Sequence, residues 1–508
     1  MSEHYDVIII GTGAGGGTLL SRLAPTGKRI LVLERGSYIA RERENWDPEA
    51  IRTGHYRPQQ LWHDAQDQTF RPFTHHCVGG NTKFYGGALL RLREDDFGEV
   101  RHHGGTSPAW PIRYADLERY YGQAEWLYHV HGTRGSDPYE PAASTAYRHP
   151  ALAHEPRIAQ LERDLRAEGL RPFPLPLAIR PSGASNPVKL TLFDGYPDPT
   201  ESKADSHVIA VAPALAQPNV ELRTGHFVER LVTNPSGRAV QRVVASHAGG
   251  TETFDADLVV VACGAIESAA LMLRSATEQH PRGLANGSDL VGRNYMSHHN
   301  GALIAITREP NPSPFQKTLA MTDFYRHGPG SELPLGTVQL MGRSTPGDLV
   351  GLLSDQLPSL SPELAAANSI DFWLTAEDVP NADNRVTLSR DGAIKLSYRP
   401  TNLTAYELLE RTLRDLLARV LGPELVFTGY RLDVSGVSHQ CGTLRFGVDA
   451  RNSVLDLDCR AHELDNLYVV DASFFPSSGA VNPSLTIMAN ALRVGDHLIE
   501  RMNVRAAA

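Results

Sequence analysis

The sequence predicts an α/β fold, a Rossmann-like dinucleotide-binding domain joined to a second, substrate-binding domain built on an antiparallel sheet with helices. Three observations predict it. Tyr5–Arg35, YDVIIIGTGAGGGTLLSRLAPTGKRILVLER, reads strand, glycine turn, helix, strand and acid in that order. Asp257–Ser275, DLVVVACGAIESAALMLRS, repeats strand, tight turn and helix, and residues 301–432 hold alternating runs of the antiparallel type.

In the opening unit, Asp6–Ile10 is β-branched and nearly all apolar, which suits a parallel strand buried on both faces. Gly11, Gly13, Ala14 and Gly16 lie in the turn GTGAGG. Its glycines permit a tight bend and a close backbone approach to a pyrophosphate. The helix that follows, predicted over Gly17–Leu23, turns free N–H groups and its positive dipole end toward the phosphates. Ile30–Leu33 is the second strand, ending at Glu34 and Arg35, where a carboxylate can accept from ribose hydroxyls.

Beyond Glu34 the chain turns polar and irregular, through RERENWDPEA and HYRPQQLWHDAQDQ, and reads as a surface excursion rather than a third strand. In CVGGNTKFYGGALL, Gly79-Gly80 and Gly86-Gly87 bracket Phe84-Tyr85; such glycine pairs let a backbone lie flat against a planar group, or simply form a buried turn. Asp116–Tyr128 has helical spacing behind a capping Asp. Residues 141–205 form a proline- and serine-rich connection with one helical patch at 157–168.

Asn219–Arg223 and Phe227–Val232 are strand-like, and a hairpin follows to Phe254. At Cys263-Gly264 the glycine of a strand-to-helix switch can sit against a nucleotide. Within 301–432, Gly336–Leu340 and Arg385–Leu388 suggest antiparallel strands, Thr404–Leu421 an amphipathic helix, and PGDLVGLLSDQLPSLSPELAA a mobile lid or a short surface helix with a loop. Near the C-terminus, Leu467–Val470 is one more buried strand, ending at Asp471 and Ala472. Asn482-Pro483-Ser484 opens a helix that runs through Ile499, with Pro at its first turn.

The chain has 508 residues, 41% of them hydrophobic and 21% charged, with a formal net charge of -9. That length suggests two domains, and mild acidity argues against nucleic acid or an anionic membrane as partner. Cys77, Cys263, Cys441 and Cys459 show no CxxC spacing, so neither a zinc site nor a disulfide framework is expected, and no metal is predicted. No leader pattern or membrane-length apolar run is present, which suggests a cytoplasmic enzyme. The oligomeric state is open, with a monomer favoured.

Taken in order with DLVGRNYMSHH at Asp289–His299, PNADNRVTL at Pro380–Leu388 and SHQCGT at Ser438–Thr443, these motifs resemble the glucose–methanol–choline (GMC) family of FAD-dependent oxidoreductases nearly end to end. VGGNTKFYGG and SPAWPIRYADLERYY are most similar to bacterial relatives of pyranose oxidase that act on sugars and glycosides. The resemblance implies the GMC, or p-hydroxybenzoate hydroxylase-like, fold. An FAD-binding domain would comprise 1–45, 75–140, 205–300 and 433–508, and a substrate domain 46–74, 141–204 and 301–432, with a lid near 345–366.

The resemblance further implies that Gly11, Gly13 and Gly16 hold the FAD pyrophosphate, Glu34 the adenosine ribose and Val228 the adenine. Gly80 and Asn81 would meet the flavin side, with Gly79 beside them, and Asp471 with Ala472 the pyrophosphate and ribityl chain. His439 and Asn482 fall on the family's His/Asn pair. Where fungal pyranose oxidases carry a flavin-linked histidine this chain has Phe84, so the FAD is expected to be non-covalent unless His75 or His76 takes that place.

The chemistry implied is oxidation of a secondary hydroxyl of a pyranose or glycoside, at C3 of glucosides and extending to C-glycosides. His439 would be the base, since an imidazole titrates near working pH, at about 6.5. Asn482 would hold the substrate oxygen, the flavin would take the hydride, and O2 would reoxidise it to give hydrogen peroxide. The alternatives are a dehydrogenase using a quinone, a sterol or choline oxidase, a hydroxynitrile-lyase-like protein in which FAD is structural, and a flavin-binding sensor.

Overall fold

A computed structural model describes residues 3–181 and 192–504. Of the connection expected at 141–205, residues 182–191 lie outside the described residues.

The dinucleotide unit forms as the opening pattern predicts. β1 (Glu3–Ile10) leads through the glycine turn into α1 (Ala14–Leu23) and β2 (Ile30–Leu33). The helix starts three residues earlier than predicted, because Ala14 and the glycines after it adopt helical geometry. The first-turn helix α2 (Tyr114–Leu127) begins two residues before Asp116, whose carboxylate caps from the third position by accepting from the Arg113 N–H at 2.8 Å.

β3 (Val220–Arg223), far along the chain, is the third parallel strand beside β2. It is followed by β4 (Phe227–Thr233), β5 (Val240–His247), the long β6 (Gly250–Val261) and α3 (Ala265–Arg274). β6 serves two partnerships. Its polar first half pairs antiparallel with β5, while Leu258–Val261 lies between β1 and a late strand formed by Leu467–Val469. Polarity along β6 makes that division physical: the four apolar residues are at most 4% exposed.

The second sheet is six-stranded and antiparallel among the described residues. Its centre is β7 (His299–Ile306), β8 (Thr337–Leu340) and β9 (Ser369–Ala376), with β10 (Val426–Arg431) on the far side of β7. Alternation decides the faces. Leu303 and Ala305 pack with Leu409, Leu413 and Leu416 of the helix Leu403–Leu421, whereas Asn300 and Ile304, from the opposite face, line a cavity.

Arg385–Leu388, expected in this sheet, instead pairs with Ile394–Ser397 in a separate four-stranded sheet completed by Trp62–His63 and Thr69–Phe70. The 345–366 segment forms two short helices, Pro346–Gln356 and Pro362–Asn368. Leu349, Leu353, Ala365 and Ala366 pack against Ile304 and Ile306 of β7. All four cysteines are free, and among the described residues no helix is long and apolar enough to cross a membrane.

Candidate active site

A cavity of about 650 Å³ runs from the glycine turn after β1 to the inner face of the second sheet. Three helix N-termini converge on it: α1 behind Gly13, α3 behind Gly264, and the C-terminal helix Ser484–Arg501 behind Pro483. None carries a side-chain cap, so their first N–H groups are left for an anion or a carbonyl in the cavity. A Cβ on Gly13 or Gly264 would meet nothing within 4 Å. One on Gly15 would lie 2.0 Å from the Val470 carbonyl oxygen, because α1 is packed directly on the chain leaving the late strand.

Of the residues selected from sequence, Gly11, Gly13, Ala14, Glu34, Arg35, Gly80, Asn81, Val228, Cys263, Gly264, Asp471, Ala472, Asn482, Pro483, Ser484 and His439 all line this cavity. Gly16 and Gly79 do not. Gly16 sits where a Cβ would be 2.1 Å from the Gly11 carbonyl, so it permits the helix to close on the turn. Gly79 donates its N–H to Thr12 Oγ1 at 2.9 Å. The expectation for Pro483 shifts by one residue: it precedes the first helical residue, Ser484.

Glu34 ends β2 with both oxygens engaged, accepting from Thr12 Oγ1 at 2.7 Å, Thr12 N at 3.2 Å and Gly36 N at 3.0 Å. Burial raises its pKa against these hydrogen bonds. Arg35 lies over the Phe227 ring and pairs with Glu267 at 3.0 Å. Asp471 is a pin as well as a lining residue: it accepts from Gly264 N at 3.0 Å and from Ser268 Oγ, tying the β6–α3 turn to the chain after the late strand. In the planar-group loop, Gly80 approaches Gly13 so closely that a Cβ would be 3.2 Å from the Gly13 Cα. Asn81 Oδ1 accepts from the His75 backbone at 2.9 Å, and His75 stacks on Phe84 at 3.6 Å.

At the other end, His439 and Asn482 come from segments the fold brings to one cavity. The Asn482 carboxamide makes no hydrogen bond to any described residue. His439 Nδ1 is 3.1 Å from His298 Nδ1 and 3.2 Å from Asn300 Nδ2, leaving Nε2 without a partner among the described residues. Burial, then His298 and the cationic Lys317, hold the His439 pKa well below the usual histidine value, so the ring is neutral. Across the sheet, Gln339, Trp373, Ala302 and Tyr430 share one row, and the two aromatics flank the small Ala302. Gln339 Oε1 is buried without a hydrogen-bond partner.

Sequence reasoning missed several of these residues. His298 and Asn300 sit in and beside SHH, a motif that enters the sequence reading only as a family mark, and Thr12, between two glycines, has no role in that reading. Gln339, Trp373 and Tyr430 carry no local signal, since alternation assigns a face but not what that face meets. One His226–His247–Glu252 cluster has atoms close enough to hold a cation. Against that, Arg223 already occupies Glu252 at 2.9 Å and the Gly249 N–H already occupies His247 Nδ1 at 3.0 Å.

Comparison with known proteins agrees with this architecture. Two family profiles, both described as GMC oxidoreductase, match residues 180–300 and 380–491. The chain is 34% identical to 6'''-hydroxyparomomycin C oxidase of Streptomyces lividus, over 99% of this chain and 93% of that protein. It is 33% identical to paromamine 6'-oxidase of Streptomyces fradiae, over 96% and 90% respectively. Among solved structures, a formate oxidase superposes with a TM-score of 0.71 at 16% identity, covering 99% of this chain and 100% of that one. A pyridoxine 4-oxidase from Mesorbium loti superposes at 0.69 and 19% identity, covering 98% and 99%.

Proposed function

From the premise that this chain belongs to the GMC oxidoreductase family, as an FAD-dependent enzyme acting on CH–OH donors, we propose that it oxidises a ring hydroxyl of a pyranose or glycoside, with C3 of a glucoside as the first choice, and uses O2 as acceptor. The observation that carries the reading is the pairing, in one cavity, of an uncapped dinucleotide cradle with a neutral His439 and a free Asn482. Gly11, Gly13, Ala14 and Gly15 would hold the pyrophosphate of FAD, Glu34 a ribose, and Gly80, Asn81 and the Ser484 helix start its ring system. FAD, when bound, accepts a hydride from the substrate carbon.

The protein's own residues do the rest. His439 Nε2 takes the hydroxyl proton, and the Asn482 NH2 donates to the same oxygen, holding the C–H in line. The charge left on His439 would assist electron transfer to O2 by offsetting the negative charge that develops on it. Trp373 and Tyr430 stand two strands apart, roughly 10 Å by ordinary sheet spacing, with only the small Ala302 between them in the row, and both line the cavity. Gln339, next in the row beyond Trp373, adds a carboxamide to the cavity lining. Those features favour a flat, hydroxyl-rich ring over a sterol or a small aliphatic alcohol. The same reading takes the FAD as non-covalent, the segment 345–366 as a lid, the division into cofactor and substrate domains as functional, and the enzyme as cytoplasmic.

A second reading, oxidation of an exocyclic primary hydroxyl on an aminosugar, is favoured by the names of the two Streptomyces relatives. Anaerobic mixing of the FAD-loaded protein with glucose, O- and C-glucosides and paromamine separates the two. Bleaching of the flavin band by glucosides with rapid recovery in air is the expected outcome. Bleaching by paromamine alone would replace the first reading by the second, slow recovery would make the enzyme a dehydrogenase, and no bleaching by any sugar would refute both.

A further inference from the structure

We infer that His298 is a positioning residue that sets the tautomer of His439. The inference rests on the proposed role of His439 as base, but the geometry behind it stands by itself. Met296–Ser297 pairs antiparallel with Gln440–Cys441, and the His298 N–H continues that ladder to the His439 carbonyl at 3.3 Å. The two rings are thereby locked edge to face, 5.2 Å apart and at 85°.

The proton positions follow from a chain of acceptors. His298 Nε2 lies 3.2 Å from the Ser478 carbonyl oxygen, which has no hydrogen to give, so Nε2 must carry the proton. That carbonyl is itself held in place. Gly479 turns with φ of +60°, and Ser478 Oγ donates to the Asp378 carbonyl at 3.2 Å. His298 is 2% exposed, and burial lowers its pKa to about 4, so it is neutral and its Nδ1 is a lone pair. Facing it at 3.1 Å, His439 Nδ1 must then be the donor.

With Nδ1 protonated, a neutral His439 has its lone pair on Nε2, the nitrogen with no protein partner. Asn300 Nδ2 lies 3.2 Å from the same His439 Nδ1 and Asn300 Oδ1 accepts from Thr375 Oγ1 at 2.9 Å, an orientation that would set two donors face to face; the inference therefore turns this carboxamide over, its oxygen toward His439 and its NH2 toward the Thr375 hydroxyl, an exchange of two near-isosteric ends. When the substrate O–H bond breaks and the Nε2–H bond forms, the resulting imidazolium donates from Nδ1 to the same His298 lone pair. No ring flip or tautomer exchange is needed in the reaction.

Two measurements test this. The first is nitrogen-15 NMR of the histidine-labelled, FAD-loaded enzyme, with His439 assigned by its loss in His439→Ala. A protonated Nδ1 and a bare Nε2 at neutral pH are expected; a protonated Nε2 overturns the inference whatever the substrate proves to be. The second compares His298→Leu with His298→Asn in anaerobic flavin bleaching, both checked for bound yellow cofactor. Leu removes the acceptor and should slow bleaching about 10²-fold with little change in KM, while the Asn oxygen, close to the Nδ1 position, should restore most of the rate. Equal rates for His298→Leu and wild type, or equal losses in both variants, would reduce His298 to a packing role. If the wild type bleaches with no alcohol, the proposed function fails while the NMR result still decides the tautomer.

Discussion

Glu377 stands beneath the carbonyl that orients His298, and replacing it with Gln probes how that buried brace is held. Its side chain accepts from Ser107 Oγ at 2.6 Å and from the backbone N–H groups of Ser478 and Gly479. Burial, opposed by these bonds and reinforced by Asp378, pushes its pKa from 4.5 up to about 7. The folded state therefore keeps a proton that the unfolded chain gives up, and stability falls as pH rises from 4.5 through 7. That ionisation costs about 3 kcal/mol at pH 8 and under about 1 kcal/mol at pH 5. Gln keeps an acceptor for Ser107 without the charge, and its NH2 can donate to His102 Nε2, which lies 3.3 Å from the present carboxylate. With an unfolding entropy near 2 cal/mol/K per residue, a chain of this length gains about 3 °C in Tm at pH 8 and about 1 °C or less at pH 5. Thermal melts of both proteins at the two pH values decide the matter. A shift of the same size at each pH, or a loss at pH 8, would refute the argument that burial keeps this carboxyl protonated.

Three further outcomes are expected. His439→Ala should keep its yellow FAD and lose alcohol-driven bleaching by about 10² to 10⁴-fold; turnover near wild type would remove His439 from the role. In the wild type, bleaching rates should be flat from pH 6.5 to 8 and fall only at lower pH, because His439 is held neutral well below the ordinary histidine value; an acid limb centred at or above 6.5 would contradict this. Gly15→Ala puts a Cβ 2.0 Å from the Val470 oxygen, so α1 must back away from the cavity by about an ångström. That costs roughly 1–3 kcal/mol and should weaken FAD binding about 10- to 100-fold, read as cofactor lost on gel filtration.

Much of the nucleotide end was legible because it is local. β1, its glycine turn, α1, β2 and Glu34 follow from a single run of chain, and the repeat at Asp257–Ser275 follows from the same pattern. What misled was pairing. Arg385–Leu388 has the alternation of a strand but nothing in it names its neighbour, and it joined the sheet of Trp62 rather than that of His299. Asp116 stands at the third helical position rather than the N-cap because a carboxylate there also satisfies a free N–H at the helix start, reaching back to that of Arg113, so an acid near a helix start does not by itself say which of the two places it fills.

By itself, then, the sequence determined the two kinds of layer, the dinucleotide cradle and the presence of a histidine and an asparagine in family-marked segments, because backbone preference and burial periodicity act over a few residues. Only the tertiary structure decided that His439 meets His298 rather than a carboxylate, that Gln339 Oε1 is left without a partner, and that Trp373 and Tyr430 stand in one row with Ala302 between them. Those relations join residues from separate strands and loops. The partners of His439 are set by which atoms lie within about 3 Å of one another, a distance that long-range packing alone imposes.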